Sequence, residues 1–324
     1  MLGLPPFVLK TLEFMATLFV FAVGTALIII AFLYFYDKYQ TSNSVRRNYP
    51  VVGRFRTFFE HLGEFFRQYF FAMDREELPF NRAQRNWANR ASEDKNNTGA
   101  FGSTKNLAVE GTVMFANCMF PQLDEETMQP STIVFGPHAK QPYETSSFFN
   151  ISAMSYGSIS KPAVQALSHG AQMAGIWLNT GEGGIAPWHL EGGCDVVFQI
   201  GTAKYGVRDA NGGLSEQKLR EVGANPQIRM IELKLSQGAK PGKGGILPAA
   251  KIDDEVAAIR GVPKGKDAIS PNRHREVNDF DDLLDLIAHI REVTGKPVGF
   301  KTCLGSADPW FGFFKKVKER GPES

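Results

Sequence analysis

The sequence is poor in cysteine. Cys118, Cys194 and Cys303 are its only three, widely spaced and in no CxxC pair. That pattern excludes a disulfide framework, gives no zinc site and no local iron–sulfur signature, and reads as reduced thiols of a cytosolic compartment. An excess of charge is missing too. Lys and Arg number 36 against 34 Asp and Glu, a net charge of +2. A general nucleic-acid binder needs a basic surface, so nucleic acid is not an expected partner. There is no internal repeat and no low-complexity tract. The glycine clusters Gly181–Gly184 and Gly238–Gly245 match neither the dinucleotide fingerprint nor the Walker spacing. On pattern alone they are mobile loops that expose backbone, the second carrying Lys240 and Lys243, which can close over an anion.

What the sequence does have is unevenly spread. Many of the 26 phenylalanines precede residue 85, and glycine gathers after residue 150. From Met15 to Tyr36 run 22 residues without a charge, enough as a helix to cross a hydrocarbon core of about 30 Å. A cleaved signal peptide would have a shorter apolar core and a small-residue cleavage site. Here Tyr34, Tyr36 and Asp37 follow instead. Lys38, Arg46, Arg47, Arg54 and Arg56 come after the run, which places the remainder on the cytoplasmic side of an inner or cytoplasmic membrane, as a single-pass protein. Residues 1–40 are then the anchor. Residues 51–73 repeat aromatics at helical spacing, as an interfacial helix or as one packed on the following domain. Residues 84–106 read as a polar linker, closing a juxtamembrane region of 41–106.

Residues 107–324 carry a different pattern. Short apolar runs alternate with helical stretches, which predicts βα units and a parallel sheet. Strands are expected at 148–155, 175–181, 195–201, 228–236 and 298–304. Helices are expected at Lys161–Ala174, Ser215–Val222, Asp279–Thr294 and from 308 to 320. Each strand ends in polar or glycine-rich residues: Met154-Ser155, Glu182 within NTGEGG, Gln199, Lys234 and Lys301. In a (β/α)₈ barrel the chemistry gathers at those ends. The fold class expected is α/β, of TIM-barrel type, with about five of eight strands present.

The runs ISAMSYGSIS (151–160), NTGEGG (179–184), FQIGTAKYGV (198–207), ELKLSQGAKPGKGG (232–245) and ISPNRHREVNDFDDL (269–283) resemble the FMN-binding domain of glutamate synthase over about residues 110–305. With its apolar N-terminus the chain looks like the stand-alone, membrane-linked members. The resemblance implies an FMN barrel that reduces 2-iminoglutarate, formed from 2-oxoglutarate and ammonia, to glutamate. It implies an iron–sulfur cluster and an electron-donor protein or subunit, though the cluster cysteines are absent from this chain. It also implies roles by position. Met154 and Ser155 would lie along the flavin through their backbone, Gln199 would bond its ring, and Lys301 would reach it. Lys234 would sit near flavin and substrate. Glu182 would handle a proton or hold ammonia, so Glu182 and Lys234 are the catalytic candidates. Lys240 and Arg260 would bind substrate carboxylates.

Three departures qualify the resemblance. Ile246 stands in GGILP where the family usually has Gln, which puts another 2-oxo or imino acid beside 2-oxoglutarate. Five strands leave an open edge, as in a fragment or a non-catalytic tethered remnant. Third, an N-terminal cysteine nucleophile for glutamine hydrolysis is missing, so glutamine would need a separate partner, or free ammonia would be used.

Overall fold

The computed structural model describes residues 5–71, 73, 75–95, 105–114, 116, 118–128 and 131–321. It divides into two compact units, Met1–Met119 and Phe120–Ser324.

The first unit is helical: α1 Pro6–Tyr39, α2 Ser44–Asn48, α3 Val52–Phe66 running into a π-turn Arg67–Phe71, and α4 Arg82–Ser92. Helix α1 outruns the charge-free stretch at both ends. Pro6 sits in its first turn, where the missing N–H costs nothing, and Gln40 ends it in extended geometry. Its apolar residues are exposed around the whole circumference, Leu12, Phe19, Ile28 and Phe35 among them. The helix expected within 51–73 is present as α3. Helix α4 lies largely in the stretch expected to be linker. Asn81 and Gln84 form a reciprocal capping box there, Asn81 Oδ1 accepting from the Gln84 N–H at 3.1 Å and Gln84 Oε1 from the Asn81 N–H at 2.9 Å. Residues 96–104 of that stretch lie outside the described residues.

The second unit runs β1 Ile133–Phe135, β2 Tyr143–Thr145, α5 Lys161–Ala174, β3 Leu178–Asn179, α6 Pro187–Leu190, β4 Val196–Ile200, α7 Glu216–Ala224, β5 Ile228–Lys234, β6 Ile246–Leu247, α8 Asp254–Arg260, β7 Ala268–Ile269, α9 Phe280–Thr294, β8 Val298–Lys301 and α10 Asp308–Arg320. Its centre is a parallel four-stranded sheet in the order β3-β4-β5-β8. The strand expected at 148–155 is not a strand. Phe148 and Phe149 are exposed, and only Ile151 pairs, through one parallel bridge to Leu178. The backbone bonds on either side continue the pairing: the Ile151 N–H donates to Trp177 O and the Asn179 N–H to Ile151 O. Asn150 spends its side chain on the Trp177 N–H, which holds the entry to this segment outside a regular ladder.

Buried parallel strands need apolar residues on both faces, and β4 is buried along its whole length. Val196, Phe198, Ile200, Ile228, Ile231 and Leu233 of the sheet pack against Leu283, Leu284, Ile287 and Ile290 of α9 in one core. Helix α9 starts as the sequence implies. Asp279 caps it by accepting from the Asp282 N–H at 2.9 Å, acidic Asp281 and Asp282 face the positive helix end, and Gly295 closes it in left-handed geometry. Two small hairpins were not foreseen. β1 and β2 pair antiparallel, and Phe135, Tyr143 and Trp177 stack together there. β6 and β7 pair after β5 and enclose α8, with their own core of Tyr205, Leu247, Ile252, Val256 and Ala268. Two-residue strands are too short to show alternation, so the sequence pattern passes over them.

Candidate active site

The C-terminal ends of the sheet open on a cavity of about 270 Å³. Met154 and Ser155 reach it from the segment after Ile151, Glu182 from the loop after β3, Gln199 from β4, Lys234 from the last position of β5 and Lys301 from the last of β8. Lys240 and Ile246 come from the loop and strand after β5, and Arg260 from the last turn of α8. The candidate cofactor, catalytic and substrate residues thus line one space, while Lys243 does not. Arg260 arrives on an element the sequence pattern did not reveal.

Glu182 is the best-held of them. Its Oε2 accepts from Lys234 Nζ at 3.0 Å, and Gln237 Nε2 donates to both carboxylate oxygens at 3.2 and 3.3 Å. The two charged side chains of the pair are only 14% and 17% exposed, so their attraction is weakly screened. The glycines around them are walls, not mobile loop. A Cβ on Gly245 would lie 2.2 Å from Glu182 Oε1, and one on Gly244 would lie 1.9 Å from the Ser270 carbonyl oxygen. Gly245 O in turn accepts from the Ser270 N–H at 2.8 Å, which ties β6 to β7. Gly181, at φ 66°, brings its backbone against Ser155, whose Oγ would lie 2.4 Å from an added Cβ.

Gln199 is bonded through one end of its amide only. Glu232 Oε1 accepts from Asn179 Nδ2 at 3.0 Å and from Gln199 Nε2 at 2.5 Å. An acceptor-only carboxylate fixes which end of the amide faces it, so the Gln199 Oε1 is turned the other way. That oxygen is buried and has no protein partner. A buried acceptor without a donor costs about 1–3 kcal/mol. An imide N–H, as a flavin ring carries, is the complementary group.

Arg260 is 4% exposed. Its Nη2 donates to Tyr156 O at 3.1 Å, its guanidinium lies 5.2 Å over the Tyr205 ring, and its Nε is buried without a partner. Burial pushes its pKa down, with the Tyr205 and Glu182 charges acting the other way. A buried cation with spare donors favours an anion beside it. Gly183 packs against this head, 2.9 Å from Nη2 to an added Cβ. Lys240 and Lys301 are exposed at the cavity.

Two buried histidines were missed in the sequence, though both lie within or beside the runs that carry the resemblance. His189 accepts from the Ala186 N–H on Nδ1 at 3.0 Å, so its proton is on Nε2, which donates to Met154 O at 2.9 Å. His274 Nε2 bonds Lys234 O at 2.9 Å, while its Nδ1 is buried without a partner. Burial pushes both imidazole pKa values down. Each neutral ring therefore holds the carbonyl of a residue that lines the cavity, Met154 or Lys234. Met154 spends its N–H on Asn179 O, so its backbone offers the cavity shape and a remaining carbonyl lone pair. Of the cysteines, Cys194 is buried while Cys118 and Cys303 are exposed. Among the described residues no cluster of three or more His, Cys, Asp or Glu is arranged to hold a metal ion.

Comparison with known proteins matches residues 96–310 to the family described as the conserved region in glutamate synthase. A glutamate synthase large subunit-like protein of Bacillus subtilis, YerD, is 35% identical over 338 residues, covering 92% of this chain and 64% of that protein. A glutamate synthase large subunit-like protein of Rhizobium meliloti is 35% identical over 191 residues, covering 58% of this chain and 40% of that protein. An archaeal-type glutamate synthase of Thermotoga maritima is 38% identical over 151 residues, 46% of this chain and 27% of that protein. The chain spans less than two thirds of the length of each of these relatives. The match over 96–310 takes in every residue that lines the cavity, and the chain belongs to the glutamate synthase family.

Proposed function

We propose that this chain carries the flavin and substrate site of an FMN-dependent oxidoreductase that reduces 2-iminoglutarate, from 2-oxoglutarate and ammonia, to glutamate. The observation that carries the reading is the convergence of the four parallel strands β3, β4, β5 and β8, and of the segment after Ile151, on one cavity. Its lining includes Gln199, whose Oε1 is a buried acceptor without a protein partner, and the buried cation Arg260, whose Nε is likewise unpartnered. The sequential order of the parallel segments supports a (β/α)₈ barrel as the parent fold. Helix α1 is long and apolar enough to cross a membrane, and the basic residues after it favour a catalytic part on the cytoplasmic face.

FMN, when bound, supplies the hydride. The residues present suit it: Gln199 for the ring, the backbone of Met154 and Ser155 for its edge, and Lys234 and Lys301 for the negative charge that reduction leaves on the ring. Glu182, held by Lys234 and Gln237, is placed to bind ammonia or pass a proton to the substrate nitrogen. Arg260 and Lys240 take the substrate carboxylates, Arg260 with the planar donor fork that suits them. Electrons would come from a donor protein or subunit, and nitrogen from ammonia or from glutamine by way of a partner.

One observation favours a variant of this reading. Ile246 lines the cavity with its side chain half exposed, an apolar group where a polar substrate end would seek a partner. It fits a 2-oxo or imino acid with an apolar tail. The test is single-turnover. The full chain in detergent, with FMN chemically reduced under anaerobic conditions, is mixed with ammonium and either 2-oxoglutarate or a branched-chain 2-oxo acid. Reoxidation with glutamate formed supports the main reading, and reoxidation by the apolar acid alone supports the variant. Bound, reduced flavin that neither acid oxidises contradicts both.

A further inference from the structure

Helix α3 presents an apolar face. Phe55, Phe58, Phe59 and Phe65 are each at least half exposed. At about 3.6 residues per turn these residues and Leu62 fall in one arc, with Arg56, Glu60 and Glu64 in the opposite one. An exposed aromatic stripe of this kind marks a surface that meets an apolar partner.

What that partner is follows from how α3 is tethered. Asp37, in the last turn of α1, is fully buried. Its Oδ2 accepts from Arg54 Nε at 2.9 Å and from the Val51 N–H at 3.0 Å, and its Oδ1 accepts from Arg54 Nη2 at 2.6 Å. The same guanidinium stacks over the Tyr36 ring at 5.7 Å. Val51 sits at φ 65°, rare for a β-branched residue, and the Asp37 bond helps hold it there. The carboxylate therefore knots the first turn of α3 to the last turn of α1, beside Tyr34, Phe35 and Tyr36. On a spanning α1 that level is the headgroup layer, where aromatic residues collect. Arg46 and Arg47 on α2, the short helix between α1 and α3, add positive charge, whereas Arg56 is paired with Glu60 at 2.9 Å.

We propose that α3 lies in the plane of an anionic lipid surface. Its aromatic arc is sunk at the acyl boundary, and the Asp37–Arg54 pair forms the corner where the chain turns from crossing the bilayer to lying on it. The proposal rests on the reading of α1 as a membrane span. Its chemistry is that of a peripheral lipid contact, separate from the cavity of the second unit.

The test reconstitutes the full chain in vesicles of phosphatidylcholine with phosphatidylglycerol. A lipid carrying a diazirine near the glycerol end of its acyl chain is photolysed there, and the labelled residues are mapped by mass spectrometry. The expected result is labelling at Phe55, Phe58, Phe59 and Phe65 together with the ends of α1. Labelling of α3 falls severalfold in Asp37→Ala and in phosphatidylcholine alone. Labelled α1 with unlabelled α3 overturns the in-plane helix, as a protein-covered face would give. Labelled α3 that is indifferent to Asp37→Ala overturns the corner, and indifference to phosphatidylglycerol overturns the anionic preference. If α1 is also unlabelled, the membrane span itself fails.

Discussion

The two units each build a knot around a carboxylate shielded from solvent, and the knots differ in what is left over. Asp37 uses both oxygens on Arg54 and the Val51 N–H, and the result is a joint between two helices. Glu182 is likewise held by Lys234 and Gln237. Unpaired buried atoms occur in both units, Arg46 Nε in the first among them, but in the second Gln199 Oε1 and Arg260 Nε belong to residues that line a cavity. A folded chain tolerates such unpaired atoms at a cost of about 1–3 kcal/mol each, which a bound ligand can offset. The knot without a cavity reads as architecture and the one on a cavity as a site.

The comparison breaks most sharply on activity. Glu182→Gln and Lys234→Ala should each lower glutamate formation by about 10²–10⁴-fold, the usual worth of a placed proton-transfer group. Asp37→Ala should leave turnover in detergent unchanged. Equal losses in both units would end the distinction. Gly245→Ala places a Cβ 2.2 Å from Glu182 Oε1, inside van der Waals contact. A displacement of about 1 Å costs roughly 10²-fold, so kcat should fall by that order while flavin binding holds.

Stability separates the units less strongly. Ile290→Ala, in the core of the sheet and α9, should cost about 2–5 kcal/mol in denaturant unfolding of the second unit. His274→Ala removes the bond to Lys234 O and should cost about 1–3 kcal/mol. The histidines also set a pH dependence. Burial depresses both imidazole pKa values. Above the ordinary value of about 6.5 both folded and unfolded rings are neutral and their contribution is complete. As the pH falls below that value toward the folded pKa, the unfolded chain takes up protons that the folded chain refuses, and stability drops. Urea midpoints at stepped pH should show this acid-side loss in the wild type and a shallower one in His274→Ala. An unchanged slope would remove His274 from the account.

Much of the second unit was legible because long elements advertise their period. Helix α9 shows Leu283, Leu284, Ile287 and Ile290 at helical spacing behind an Asp279 cap, and β4 is an apolar run interrupted only by Gln199. Short elements do not. Two-residue strands β6 and β7 and the seven-residue α8 between them carry too few residues for a pattern. The sequence therefore offered Arg260 without the element that delivers it. Residues 148–155 misled in the opposite sense, apolar enough for a strand yet pairing only at Ile151. The cavity residues were found through strand-end polarity and family resemblance. His189 and His274 escaped because a histidine that bonds a backbone carbonyl across 35 or 40 residues leaves no local spacing to read. Gly244 and Gly245 were read as mobile loop, since close packing against a side chain far along the chain is also invisible locally.

The central claim, that the cavity is a flavin site completed by Gln199, is tested most directly by FMN retention. The full chain, wild type and Gln199→Leu, is purified in detergent, incubated with FMN, desalted and read by visible absorption. The account predicts an equimolar bound-flavin spectrum for the wild type and about tenfold weaker binding for Gln199→Leu, the worth of one hydrogen bond to a buried acceptor. A colourless wild type, or a Gln199→Leu chain that holds FMN as tightly, would contradict it.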